Sequence, residues 1–239
     1  MPSFRRPFHR TLAPVLHAFD PVFLLEARCF FAGGTLLALM LDEYRESRDI
    51  DFLCASRDGF RRLRETVSER SLGKLLRTEI PLAREVRADR DGIRTFLAAG
   101  EARIKFEIVL EGRIDLDGGV DERLELPVLH LDSVVAEKLL ANADRGLDES
   151  TRSRDLIDLA FLGARHGQLA LVPGLRIAEG AYGSVVVRHL ELVLSKLQTD
   201  KKYAASCIES LGIEDAKTLR KGLARLRTLA SSRRQGRSS

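Results

Sequence analysis

The sequence predicts an α/β (α+β) first half followed by an all-α second half, and three observations carry that prediction. Residues 29–54 and 82–110 contain short apolar or alternating runs of strand length, broken at Gly33-Gly34, at Asp91-Gly92 and at Gly100. Beyond Pro127 the apolar residues recur at helical spacing to the end of the chain. Between the two halves, residues 115–127, "DLDGGVDERLELP", concentrate glycine and charge, so the boundary is expected there, with a first domain over 1–120 and a second over 121–239.

Each element follows from local chemistry. Thr11 to about Arg28 reads as helix, interrupted at Asp20-Pro21 because the residue before proline is pushed out of the α region. Cys29–Ala32 is a short buried strand, and Thr35 to about Tyr44 is helical. Ile50–Cys54 is the next strand, followed by a basic helix from about Asp58 to Arg70 with Phe60, Leu63 and Val67 at helical spacing. Leu82 to Leu110 reads as three strands joined at Asp91-Gly92 and Gly100, both tight-turn signals. The tail "SSRRQGRSS" has three arginines and no apolar anchor, and is expected to fray.

At 239 residues with 44% hydrophobic and 31% charged residues, the chain can bury a core without disulfides. Its three cysteines, Cys29, Cys54 and Cys207, are widely spaced with no C-x-x-C pair, which argues against a disulfide framework and a zinc site. The longest apolar stretch, Val22 to Leu41, is broken by Glu26, Arg28 and two glycines, so no membrane span is expected. The basic N-terminus lacks the apolar core of a secretion signal, and the cytoplasm is the expected compartment. A net charge of +4 permits a nucleic-acid partner without requiring one.

Candidate chemistry begins at "FFAGGTLLALMLDEYRESRDIDFLCAS", Phe30 to Ser56. A strand runs into Gly33-Gly34, and Thr35 opens a helix whose free N–H groups and dipole favour an anion; an ordinary turn with Thr35 as helix cap explains the same residues. Asp49 and Asp51 stand two apart, so they project to one face of a strand while Ile50 and Phe52 face the core. Two like charges on one face suit a hard divalent cation, although such pairs also occur on solvated strands. In "ARIKFEIVL" the apolar Ile104, Phe106, Ile108 and Leu110 leave Lys105 and Glu107 on the opposite face, where Glu107 is a candidate third ligand or an exposed strand glutamate. In the helical half, Lys138 falls inside the stripe of Leu131, Val134, Val135 and Leu139, which calls for an anionic partner or a snorkelling chain. Asp155 and Asp158, at i and i+3, share a helix face and want cations; Arg145, Arg152 and Arg154 lie close in sequence.

The order of these features, G-G-T, then R-x-S-x-D-I-D-F over Arg45 to Phe52, then an acidic central strand, then "LDSVVAEKLLANADRG" and "SRDLIDLAFL", resembles the AbiEii/AbiGii-type nucleotidyltransferase toxins. The likeness spans Phe30 to about Leu162. It implies a polymerase-β-like core domain with a small mixed sheet flanked by helices, and an all-helical C-terminal domain that contributes to the active site. Gly33, Gly34, Thr35 and Arg48 are then nucleotide-binding, and Asp49 and Asp51 are catalytic and bind Mg²⁺, with Glu107 as a further metal ligand. Lys138 and Asp155 map to catalytic positions, and Arg154 and Asp158 to nucleotide-binding ones. Threonine replaces the serine often found after the glycines, and glutamate replaces the third aspartate.

The resemblance implies transfer of a nucleoside monophosphate from NTP, with two Mg²⁺ ions, to an acceptor such as tRNA, under the control of a cognate antitoxin. The arginine-rich helices "RRLRETVSER" and "RKGLARLRTLASSRR" suit RNA backbone contacts or simple solvation. Two other readings stay open: an antibiotic-modifying nucleotidyltransferase, and a module that binds nucleotide or a protein partner without catalysis.

Overall fold

A computed structural model describes residues 3–235. The chain divides into two compact units, Met1–His130 and Leu131–Ser239.

The first unit opens with α1 (Pro7–His17) and α2 (Pro21–Glu26), each with proline in its first turn, where the missing N–H costs nothing. Helix formation thus starts earlier than the apolar spacing suggests, and Asp20 caps α2 by accepting from the N–H groups of Val22 and Phe23. Next come β1 (Cys29–Ala32), α3 (Gly33–Met40), β2 (Ile50–Cys54) and α4 (Arg57–Thr66). The expected triple of strands is present as β3 (Leu82–Ala88), β4 (Gly92–Ala99) and β5 (Ala102–Leu110).

The segment expected to hold the domain boundary contributes two further strands, β6 (Gly118–Asp121) and β7 (Leu126–Leu129). Both join the sheet of the first unit, which has seven strands in the order β3-β4-β5-β2-β1-β7-β6. β2 runs parallel to β5, β1 parallel to β7, and the other neighbours are antiparallel. The helical pattern therefore begins at Leu131, later than residue 121.

One face of the central strands is apolar. Phe52 lies 5.2 Å from Phe19 and 6.1 Å from Phe106 between ring centroids, and Phe31 lies 5.5 Å from Phe52. All four rings are fully buried, and each such side chain contributes roughly 1.5–3 kcal/mol. Because strand side chains alternate, that apolar face obliges Asp51 and Glu107 to emerge on the other.

The second unit is helical: α5 (Leu131–Arg145), α6 (Arg154–His166), α7 (Val172–Tyr182), α8 (Val185–Thr199), α9 (Lys201–Ser210) and α10 (Ala216–Gln235). α10 lies against α6 at a close crossing, where a Cβ on Gly222 would stand 1.8 Å from the Ala160 carbonyl oxygen. Ser231–Gln235, in the tail expected to fray, continue α10, and residues 236–239 fall outside the described ones.

Candidate active site

Sheet register assembles the polar face of the first unit. Asp51 pairs laterally with Ala32 on one side and with Glu107 on the other, and Glu107 pairs with Arg94 on β4. Side chains in register across a sheet share a face, so Asp51, Glu107 and Arg94 form one row. Asp49 sits two residues before Asp51, just outside β2.

Gly33 makes the turn into α3 at φ +74, a conformation that favours glycine. A Cβ there would lie 2.6 Å from Asp51 Oδ2, so the glycine admits the carboxylate against the backbone. A Cβ on Gly34 would meet Arg45 Nη2 at 2.2 Å. The buried Arg45 guanidinium thus stands beside the start of α3, a helix end with no side-chain cap. Helix-start N–H groups without a side-chain cap and an adjacent guanidinium together favour an anion.

Thr35 is neither a cap nor open to a ligand. It is fully buried, and its hydroxyl donates to the Asp49 carbonyl at 2.5 Å and lies 2.9 Å from Ser47 Oγ. Its side chain braces the backbone that carries Asp49. The same loop is held from the other side by His9, which is fully buried. The Ser47 N–H donates to His9 Nε2 at 3.2 Å, which makes Nε2 the unprotonated nitrogen and Nδ1 the donor to Glu43 Oε2 at 2.8 Å. Glu43 also accepts from the Arg5 and Arg6 backbone N–H groups at 2.5 and 2.7 Å. Burial pushes the Glu43 carboxyl up, but these N–H groups and His9 outweigh it and hold it below its ordinary value.

Glu107 is committed to cations. Its Oε1 accepts from Arg94 Nε at 2.6 Å and its Oε2 from Lys105 Nζ at 2.8 Å. Burial raises its pKa, and Lys105 and Arg94 bring it below the usual range. The Lys105 ammonium loses to burial but gains more from Glu107, Asp51 and Asp49, so its pKa is raised. Arg48, expected to bind nucleotide, is exposed, lies over the Phe8 ring at 4.8 Å and pairs with Glu46 at 2.6 Å.

Among the described residues no three His, Cys, Asp or Glu side chains converge as a ready metal cage. The Asp49 and Asp51 donor set is hard oxygen. It fits Mg²⁺, which takes one or two carboxylates and completes its shell with water and substrate phosphate. The cradle that Gly33 leaves for Asp51 is consistent with that fit.

The second unit holds its own cluster. Lys138 is buried, and its Nζ reaches Asp155 Oδ1 at 2.9 Å and Asp158 Oδ2 at 2.7 Å. The inward lysine therefore meets two carboxylates within its own unit. Arg145 adds a two-point grip on Asp155, at 2.8 and 3.1 Å. Burial alone would raise the Asp155 pKa, and Lys138 and Arg145 overcome it and hold the carboxyl far below its ordinary range. Arg154, one residue earlier, is exposed. The turn before it is strained: Arg152 and Ser153 both take left-handed backbone, at φ 55 and φ 48. Such a conformation costs of order 1–3 kcal/mol per residue, and Ser153 Oγ is tied to Tyr203 Oη at 2.9 Å.

A family model described as "Nucleotidyl transferase AbiEii toxin, Type IV TA system" matches residues 16–222, most of the chain and both acidic clusters. The chain belongs to the AbiEii family. As a member of it, the chain is a nucleotidyltransferase of toxin type. It is similar in fold to JHP933 from Helicobacter pylori, with TM-score 0.53 and 19% identity over 99% of this chain and 97% of that one. A candidate nucleotidyltransferase from H. pylori aligns with TM-score 0.51 and 17% identity over 94% of this chain and 90% of the other. MenT4, a nucleotidyltransferase toxin from Mycobacterium tuberculosis, aligns at TM-score 0.44 and 17% identity over 93% and 80% of the two chains. No curated protein matches in sequence.

Within this AbiEii chain, Gly33, Gly34, Thr35, Asp49, Asp51 and Glu107 fall in the first unit, and Lys138, Arg154, Asp155 and Asp158 in the second. Sequence reasoning missed His9 and Glu43, which carry no local signal because their partners are more than thirty residues away. Arg45 and Ser47 were visible only as letters of the R-x-S-x-D motif.

Proposed function

We propose that this chain is an Mg²⁺-dependent nucleotidyltransferase toxin that moves a nucleoside monophosphate from NTP to an RNA acceptor, tRNA above all, in the cytoplasm. The observation that carries the reading is the Asp49/Asp51 pair beside the uncapped, arginine-flanked start of α3. An acceptor hydroxyl gives up its proton to solvent and attacks the α-phosphorus, the bond to the α–β bridging oxygen breaks, and pyrophosphate leaves. Asp49 and Asp51 would hold Mg²⁺, which supplies charge neutralisation at the reacting phosphate. The α3 N–H groups and Arg45 hold phosphate oxygens. Thr35 and His9 act as positioning residues, keeping the Asp49 loop in place.

Glu107, a further metal ligand by resemblance, orients Lys105 and Arg94 along the aspartate face in this reading. In the second unit, Arg154 is the exposed cation suited to a triphosphate, and Lys138 with Asp155 and Asp158 sets the helix that presents it. Membership of a type IV toxin family further implies a cognate antitoxin. An aminoglycoside acceptor is less favoured, because Lys105, Arg94 and Arg45 offset the acidic charge a polycation would need.

The test is incubation of the full chain with each labelled NTP, Mg²⁺ and total tRNA. Labelled RNA is expected with at least one NTP, and Asp51→Asn should lower the rate by at least about 10²-fold, the scale of losing one electrostatic stabiliser. Label on an aminoglycoside and none on RNA would reverse the choice of acceptor.

A further inference from the structure

The two arginine-rich helices of the sequence differ in how their charges are used. On α4, which carries Asp58 and Glu65 of its own, Arg61 pairs with Asp58 at 3.3 Å and Glu65 at 3.8 Å and Arg62 reaches Glu26 at 3.0 Å, which leaves Arg57 and Arg64 outside any ion pair among the described residues. α10 contains no acidic residue along its 20 positions. Its inner cations are occupied: Arg225 donates to the Gly163 and Ala164 carbonyls at 2.6 and 2.9 Å, and Arg233 pairs with Glu179 at 2.7 Å. Its outer cations, Lys217, Arg220, Lys221 and Arg227, are exposed and enter no ion pair among the described residues. Asp215, just before the helix, accepts from the Thr218 N–H at 2.8 Å and is also stabilised by the Lys217 N–H and charge.

At about 100° per residue the four outer cations fill an arc of roughly 120° and a length of about 15 Å. They lie opposite the buried Leu219, Leu226, Leu229 and Ala230. A membrane-lying helix needs its apolar face free for lipid, and here that face is buried in protein. A protein interface is centred on apolar or aromatic anchors, and none of the exposed large hydrophobics lies on α10. A row of cations without anchors matches a repeating phosphate backbone.

We propose that the outer face of α10 is a backbone-docking surface for RNA, engaging phosphates through Lys217, Arg220, Lys221 and Arg227; this rests on the RNA-acceptor reading above. It holds substrate without selecting sequence, so it acts on RNA affinity and leaves NTP binding unaltered.

The experiment measures binding of fluorescent tRNA to the full chain between about 50 and about 400 mM KCl. The quadruple variant K217Q/R220Q/K221Q/R227Q should lower the slope of log affinity against log salt by about 3, at roughly 0.7–0.9 per phosphate contact. The variant R61Q/R62Q, in which the arginines are already paired, should change it by less than about 1. Circular dichroism should be unaltered, since all four positions are exposed. A quadruple variant that keeps its slope while wild type labels tRNA overturns the α10 assignment and leaves the activity standing. No label on RNA, with a slope still lost in the variant, supports the docking surface and removes the acceptor. Polyglutamate or phosphatidylserine vesicles displacing the tRNA as well as unlabelled RNA does would overturn the RNA assignment in favour of an acidic protein or a membrane.

Discussion

Replacing Lys138 by methionine keeps the length of the side chain and removes its charge. Lys138 is 9% exposed at the side chain, against 2% for Asp155 and 0% for Asp158, so water cannot take over its two bonds. Breaking a buried ion set by deleting one partner costs about 3–5 kcal/mol, because the charge left behind keeps its desolvation penalty. Arg145 retains its grip on Asp155, so the lower end, about 3 kcal/mol, is expected. With a urea dependence of about 2–3 kcal/mol per molar, the midpoint should fall by about 1 M or more with the slope unaltered. A second substitution, Asp158→Asn in the Lys138→Met background, should return part of that loss, since the residual charge is what is costly. A loss below about 1 kcal/mol, or no recovery in the double variant, would falsify the claim that these carboxylates depend on Lys138. A large fall in transfer rate for Lys138→Arg with stability intact would instead show that the ammonium takes part in the reaction.

Gly33→Ala should cost about 1–2 kcal/mol for its left-handed backbone and also displace Asp51, so activity should drop at least tenfold below that of Gly100→Ala. Gly100 is the matched control, with φ +62 and nothing within 4 Å of a Cβ; equal activity in the two variants would refute the cradle. Thr35→Val removes one hydroxyl at constant shape, and about 1 kcal/mol of stability with it. Its signature should be a raised Mg²⁺ requirement with NTP affinity near wild type, because the hydroxyl holds the Asp49 backbone. For pH, Asp155 has a lowered folded pKa, so its contribution is complete above the unfolded value of about 3.9 and fades as pH falls toward the folded one. Urea midpoints of Asp155→Asn should therefore be flatter than wild type below about pH 4, and parallel to it from about pH 5 to 8.

The elements with a strong local period were legible before folding. β1, β2 and the β3–β5 meander declared themselves through apolar alternation and glycine turns, and Asp49 and Asp51 through their spacing of two. β6 and β7 did not, because four-residue strands with Gly118 and Gly119 in one of them carry too little pattern. They exist through pairing, Gly118 with Leu129 and Gly119 with Val128, which only neighbouring strands can supply. In the tail expected to fray, Ser231–Gln235 extend a helix already nucleated upstream, and propagation costs less than initiation.

For the site, sequence alone determined which residue types face away from the core, since periodicity is a property of the backbone. It placed Asp51 and Glu107 on the polar side of their strands and turned Lys138 inward on its helix. Partnership was decided by tertiary structure. The register that sets Arg94 beside Glu107 gave that glutamate to Arg94 and Lys105. The packing of α5 on α6 gave Lys138 two acids at once, and the fold-back of α1 put His9 between Glu43 and Ser47. Charge and hydrogen-bond energies fall steeply with distance, and distance between residues far apart in sequence exists only once the chain has folded.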